Sequence, residues 1–242
     1  MKILAIIPAR GGSKRVPHKN KKDFLGQPII SYSIETALQS NIFDEVMVST
    51  DDTEIAEIAL QYGANVPFLR SAKNASDQAT TLDALLEVLE NYKKKGIEFD
   101  YACCIYPTAP LLSTTNIQEG YSTIIKNDFK TVVTVAEYSY PIHRALQMDD
   151  KGSLSMINEK NLNARSQDLA KAYHDAGQFY WFDTNIIKDC NSLFTDQTGS
   201  IVLPESQVQD IDTEEDWIMA ELKYKHLNHR YAYENSISDR RA

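Results

Sequence analysis

A chain of 242 residues, 43% hydrophobic and 24% charged, is long enough for one α/β domain with a small extra lobe. Its formal net charge of −9 speaks against a nucleic-acid partner, whose phosphate backbone calls for a basic face. No apolar run approaches the roughly 20 residues of a membrane span, and the three cysteines, Cys103, Cys104 and Cys190, form no metal-ligand spacing.

Residues 2–7 are nearly all apolar and run into a charged, glycine-containing loop, which predicts a strand buried on both faces. The apolar part is too short for a signal peptide, so a cytoplasmic location is expected. Pro8-Ala9-Arg10-Gly11-Gly12-Ser13-Lys14-Arg15 follows, and its two glycines permit a tight turn on which N–H groups can converge. Arg10, Lys14, Arg15 and Lys19 surround that turn. On an acidic chain this cationic cluster is a local exception, and it reads either as a polyphosphate site or as a solvated connection. Neither G-x-x-x-x-G-K-[ST] nor G-x-G-x-x-G is present, which leaves a mononucleotide-binding α/β enzyme of another type.

Pro28 predicts a helix start, with Ile30, Ile34, Ala37 and Leu38 on one face. Residues 45–49 predict a strand, then a helix capped by Asp51 with Glu54 as reciprocal partner. A short strand is expected over residues 65–69. Leu82, Leu85, Leu86 and Leu89 follow helical spacing, residues 101–106 form a buried strand in which Cys103 and Cys104 are core thiols, and Ile117, Tyr121, Ile124 and Ile125 mark another helix. Residues 131–136, 179–182 and 200–203 complete the strands. Thr213 caps a last helix with Asp216 at its third position, anchored by Trp217, Ile218 and Leu222. This alternation predicts a mostly parallel sheet flanked by helices, with ligands at the carboxyl ends of its strands.

The rhythm breaks over residues 137–176, which are polar, charged and too long for a plain loop. They read as an inserted lobe packed on a partner, leaving 1–136 and 177–227 as the α/β domain and 228–242 as a frayed or oligomer-bound tail.

Several positions beyond the first loop can carry chemistry. Arg70 follows the third predicted strand and suits either a phosphate or a solvated surface, and Asp77 either a helix cap or a ligand. Asp210-Ile211-Asp212 alternates in an extended segment, so both carboxylates point one way; they suit a hard divalent cation, or serve as solvated acids at a helix N-terminus. His174 reads as a hydrogen-bonded structural histidine or as a base.

The stretch Ile7-Pro8-Ala9-Arg10-Gly11-Gly12-Ser13-Lys14 with Lys19-Asn20 resembles the signature of the acylneuraminate cytidylyltransferase family, whose members make CMP-sugars. The resemblance implies a Rossmann-like fold of the nucleotide-diphospho-sugar transferase type, CTP and a nine-carbon 2-keto sugar acid as substrates, a homodimer, and an inserted lobe that reaches into the neighbour's active site. It implies nucleotide contacts from Ala9, Arg10, Gly11, Ser13 and Asn20, with Arg10, Lys14 and Lys19 neutralising the departing pyrophosphate. Residues 75–81 resemble a further nucleotide stretch, adding Arg70, Ala79 and Thr81. Asp210-Ile211-Asp212-Thr213-Glu214-Glu215-Asp216 resembles the family's D-I-D-T-E-x-D, whose first two acids carry Mg²⁺; Asp212 thereby joins the catalytic set.

The sugar side departs from the pattern of the sialic acid enzymes. Tyr106-Pro107-Thr108-Ala109-Pro110-Leu111-Leu112 is similar to Q-P-T-S-P-L-R, with Tyr106 where a sugar-contacting Gln is usual and Thr108 retained beside the nucleotide. Arg165-Ser166-Gln167-Asp168, with residues 173–181, looks most like the branch that handles pseudaminic acid. Under that resemblance Arg165 is a candidate for the sugar carboxylate, Gln178 for an acetamido group, and Tyr180 for a wall of the sugar site. N-acetylneuraminic, legionaminic and 3-deoxy-octulosonic acids remain alternative sugars, and a CTP-binding sensor remains the non-enzymatic alternative.

Overall fold

Every residue from Ile3 to Ile7 is buried, and the strand they form is the one from which the molecule is built outward. The computed structural model describes residues 1–238, with side chains through residue 228. In chain order the strands are β1 (Ile3–Pro8), β2 (Asp23–Phe24), β3 (Gln27–Pro28), β4 (Glu45–Ser49), β5 (Tyr101–Ile105), β6 (Thr131–Glu137), β7 (Leu146–Met148), β8 (Leu154–Met156), β9 (Tyr173–Asp183) and β10 (Thr198–Leu203). The α-helices are α1 (Ile29–Gln39), α2 (Thr53–Gln61), α3 (Thr81–Lys94), α4 (Thr114–Lys126), α5 (Thr184–Cys190) and α6 (Glu214–Ser238). None of the described helices is long and apolar enough to cross a membrane.

Six strands form the central sheet in the order β10-β6-β9-β5-β1-β4. Pairings are parallel except around β9, which runs antiparallel to both β5 and β6. The period of two sends Ala5, Ile7, Cys103 and Trp181 into the core beneath α1, α2 and α4. Leu4, Ile6, Cys104 and Phe182 face the opposite core beneath α3 and α5. Both cysteines of β5 are fully buried core thiols. Gly120 on α4 lets that helix settle on Trp181, since a Cβ there would stand 2.6 Å from the indole.

A third, smaller cluster matters most for the site. Val16 from the first loop, Phe24 from β2, Ile211, and Trp217 and Ala220 from α6 pack together, with the Phe24 and Trp217 rings edge to face at 5.6 Å. Burying side chains of this size contributes about 1.5–3 kcal/mol each. The cluster ties the end of the sequence to its beginning.

The structure corrects several sequence-based expectations. The 65–69 segment is not a strand: Asn65 makes a single bridge to Met47, and Pro67 has no N–H to continue the ladder. Asp52, not Asp51, caps α2, accepting from the N–H groups of Glu54 and Ile55. Strand β9 starts at Tyr173, so the sheet reclaims the chain earlier than expected. On α6 the buried face is Trp217, Ala220 and Tyr224, while Ile218 and Leu222 are exposed. That helix continues to Ser238 through most of the segment expected to be a tail, and residues 239–242 lie outside the described part. The capping box at its start is present as expected: the Thr213 N–H donates to Asp216 at 2.8 Å, and the Asp216 N–H returns to the Thr213 hydroxyl.

Between β6 and β9 the chain forms the β7–β8 hairpin and three short 3-10 turns. Met148, Leu154, Ile157 and Leu162 stand exposed there.

Candidate active site

The loop after β1 and the loop before α3 face one another across a cleft at the carboxyl end of the sheet. Between them lies a cavity of about 360 Å³. Arg10, Ser13, Lys14, Lys19 and Asn20 line it from the first loop. Arg70, Ala79 and Thr81 line the facing side, and Tyr106 and Thr108 close it from the end of β5. The structure therefore brings together, on one cavity, residues that stand far apart in the sequence.

Ala9 and Gly11 form the base of the first loop and do not line the cavity. The Gly11 N–H is not free for a phosphate: it donates to the Asp51 carboxylate at 3.0 Å. Its lack of a side chain serves close packing, because a Cβ would fall 2.8 Å from an Asp52 carboxylate oxygen. Asn20 is buried and spends its amide on the Arg10 carbonyl at 2.9 Å, which fixes the course of the loop.

Arg70 is buried, which decides against a merely solvating role. Its guanidinium donates to the Ser49 hydroxyl at 3.0 Å and to the Ser49 carbonyl at 2.5 Å, at the end of β4. Burial pushes its pKa down, partly offset by the charges of Asp51 and Glu87. Lys19 is likewise lowered first by burial and then raised by Asp212 and Asp210. Its ammonium donates to the Ile211 carbonyl at 2.5 Å and stands 3.8 Å from the Asp212 carboxylate. Arg15 pairs with the other oxygen of Asp212.

Asp210 and Asp212 flank Ile211, which is 1% exposed and points into the Phe24–Trp217 cluster, so both carboxylates turn away from that core. The Asp212 N–H donates to Asp216, fixing the segment to the start of α6. Asp210 keeps exposed surface although it is hemmed in by protein. Its carboxyl is pushed up from the ordinary aspartate range, first by that partial desolvation and then by the charge of Asp212. Two carboxylates that repel one another suit a divalent cation completed by phosphate oxygens. Among the described residues no group of three acids, histidines or cysteines forms a cage of its own.

A second cavity, of about 390 Å³, shares Thr80 and Tyr106 with the first and continues to Asp175, Tyr180 and Phe194. The Tyr180 hydroxyl donates to Asp175 at 2.6 Å, and its ring lies 5.4 Å from that of Tyr106. Burial pushes the phenols of both tyrosines up, so each stays protonated. Asp175, missed in the sequence, is set by Gly177, which turns at φ +60° and donates its N–H back to that carboxylate at 2.8 Å. An Asp-x-Gly triplet just ahead of the strand predicted over residues 179–182 was the available signal. Gln178 lines neither cavity: it is buried, its amide donates to the Gln207 carbonyl, and its Oε1 has no hydrogen-bond partner. Arg165 is exposed in the inserted segment and also lines neither. His174 donates its Nδ1–H to the Asp175 carbonyl at 2.9 Å and packs edge-on against Tyr138, lining neither cavity.

The family model described as Cytidylyltransferase matches residues 4–212. The chain is similar to the pseudaminic acid cytidylyltransferase of Campylobacter jejuni subsp. jejuni serotype O:23/36, 44% identical over 96% of this chain and 100% of the relative. It is also similar to the CMP-N,N'-diacetyllegionaminic acid synthase of Legionella pneumophila, 33% identical over 94% of this chain and 98% of that one. Among solved structures, CMP:2-keto-3-deoxy-manno-octonic acid synthetase complexed with CTP superposes with a TM-score of 0.68 at 16% identity, covering 95% of this chain and all of that one, a likeness of fold. A nearly full-length match to the family, on a chain whose first loop and Arg70 line one cleft and whose Asp212 pairs with Arg15 and Lys19 of that loop, makes this protein a nucleotidyltransferase belonging to the cytidylyltransferase family.

Proposed function

We propose that the chain joins the CMP portion of CTP to a nonulosonic acid, of the pseudaminic acid type, and releases pyrophosphate. The observation that carries this reading is that Arg10, Lys14 and Lys19 line one cleft while Asp212, beside it, pairs with Lys19, in a chain 44% identical to a pseudaminic acid cytidylyltransferase.

The cytosine and ribose fit the cavity walled by Arg70, Ala79, Thr81 and Thr108. The anomeric hydroxyl of the sugar attacks the α-phosphate and releases its proton to solvent, the bond from the α-phosphorus to the bridging oxygen breaks, and pyrophosphate departs with that electron pair. Positioning and charge neutralisation supply most of the acceleration in such a transfer. Arg10, Lys14 and Lys19 hold the charge that develops on the leaving group. Asp210 and Asp212 would hold Mg²⁺, which would supply Lewis-acid polarisation of the phosphate.

The sugar fits the second cavity, against the protonated hydroxyls of Tyr106 and Tyr180. Tyr106, standing where sialic acid enzymes have glutamine, is the feature that favours a sugar other than N-acetylneuraminic acid. The inserted segment, 137–176 in the sequence, serves as a dimerisation lobe through its exposed apolar side chains, and it carries Arg165 across the interface to the sugar carboxylate. The test is a pyrophosphate-release assay with CTP, Mg²⁺ and a panel of pseudaminic, legionaminic, N-acetylneuraminic and 3-deoxy-octulosonic acids. Pseudaminic acid is expected to give the highest kcat/KM. Preference for another acid would reassign the sugar, and CTP binding without pyrophosphate release from any of them would favour a sensor.

A further inference from the structure

Asp77 is the only acid among the described residues that line the first cavity, which it shares with Arg10, Lys14, Arg15, Lys19 and Arg70. It caps no helix, since Thr80 and Asp83 close α3 with their own capping box. One carboxylate oxygen accepts from Arg10 at 2.8 Å and the other pairs with Lys14. Arg10 also donates to the Ser76 carbonyl at 3.3 Å, so the same loop holds the guanidinium twice.

That loop is anchored at both ends. Arg70 is fastened to Ser49 before it, and the α3 cap follows it. In between, Ser71 and Asn74 are bonded to Glu87 on α3. Asp77 is thereby held over the two cations that the cytidylyl-transfer reading assigns to the leaving group.

We propose that Asp77 is a built-in competitor for the pyrophosphate-binding cations, occupying Arg10 and Lys14 in the free enzyme and retaking them as pyrophosphate leaves. The inference rests on that reading of the cleft. Both ion pairs are solvent-exposed and individually weak. A triphosphate with several charges displaces one carboxylate readily, whereas a single phosphate group gains little over it. Asp77 thus discriminates against single phosphate groups and also lowers the affinity of the pyrophosphate that must depart.

The test is Asp77→Asn, which keeps the shape and removes the charge. Calorimetric titration of wild type and variant with pyrophosphate is expected to show roughly two- to tenfold tighter binding in the variant. Pyrophosphate should also inhibit the variant's turnover at correspondingly lower concentration, and Asp77→Glu should restore the wild-type values. Equal or weaker pyrophosphate binding in Asp77→Asn, at an unchanged melting temperature, would overturn the proposal. Because pyrophosphate binding is read without turnover, failure of the functional reading looks different: tightening persists while no sugar acid yields pyrophosphate from CTP.

Discussion

Arg15 and Asp212, 197 positions apart in the chain, are joined by an ion pair at the edge of the first cavity. Next to each lies a buried residue, Val16 and Ile211, and these two meet in the same apolar cluster. Packing therefore sets the distance between the cationic loop and the acidic pair, and the ion pairs of Arg15 and Lys19 with Asp212 follow from it. An exposed pair alone contributes little; a buried cluster of Phe24, Ile211 and Trp217 holds the arrangement without relying on those pairs.

Removing either half of this arrangement should stop the reaction without unfolding the protein. Lys14 is exposed, and Asp212 lies at the cleft edge rather than in the core. Lys14→Ala and Asp212→Asn are each expected to lower kcat/KM about 100-fold or more, the scale of losing a preorganised charge. Far-ultraviolet circular dichroism and melting temperature should stay near wild type. Retained turnover in both variants would refute the assigned roles.

Arg70 should matter for stability and for the nucleotide together. In Arg70→Met the Ser49 hydroxyl and carbonyl lose their buried partner, a cost of about 1–3 kcal/mol for an unsatisfied polar group. Urea titration should show this loss, and the KM for CTP should rise at the same time. Arg70→Lys is expected to recover only part of either, because one ammonium cannot reproduce the planar fork. A fully active, fully stable Arg70→Met would place this residue outside the site.

The raised pKa of Asp210 gives a pH signature with a definite sign. A carboxyl whose folded pKa lies above its unfolded value binds its proton more tightly in the native state. Its contribution favours folding below the unfolded value and is lost as pH rises through the folded one. At neutral pH Asp210 is thus charged and mildly destabilising, and a bound cation would relieve it. Asp210→Asn should raise the melting temperature by roughly 1–3 °C at pH 7 without metal. The variant should also lose the stabilisation that Mg²⁺ gives the wild-type protein. A drop in melting temperature, or an undiminished response to Mg²⁺, would count against the placement of the cation.

The inserted segment makes a prediction about assembly. Met148 and Leu154 pair across the β7–β8 hairpin and are 67% and 59% exposed, a surface suited to burial against a second copy. Met148→Asp with Leu154→Asp should shift sedimentation from dimer to monomer. If Arg165 acts across that interface, the KM for the sugar acid should rise while the Kd for CTP changes little. A monomeric wild type would remove the basis for this use of the lobe.

Most of the alternation of strands and helices was legible because the central strands are short apolar runs and the longer helices carry one apolar face, whereas the seven-residue α5 was missed. The antiparallel direction of β9 was not, since residues buried on both faces read the same in either direction. Asp51 and Asp52 are adjacent and both able to cap; only the phase of α2 decides, sending Asp52 to the helix and Asp51 to Gly11. Similarly, Trp217 and Ile218 are equally apolar neighbours, and the side facing Phe24 is fixed by where β2 lies. The cationic loop, Arg70 and the Asp210/Asp212 pair could be picked out by residue type and position. What occupies the loop cations in the free site could not, because the Asp77 contacts depend on how residues 71–79 fold back over the cleft.

The central claim is that the amino-terminal cations and the late acidic pair act on one triphosphate. A crystal structure with CTP and Mn²⁺, located by its anomalous signal, measures this directly. The account predicts the metal on Asp210 and Asp212, with Lys14 and Lys19 within hydrogen-bond reach of the same phosphate chain. A nucleotide bound elsewhere, or a metal held away from those two carboxylates, would contradict it.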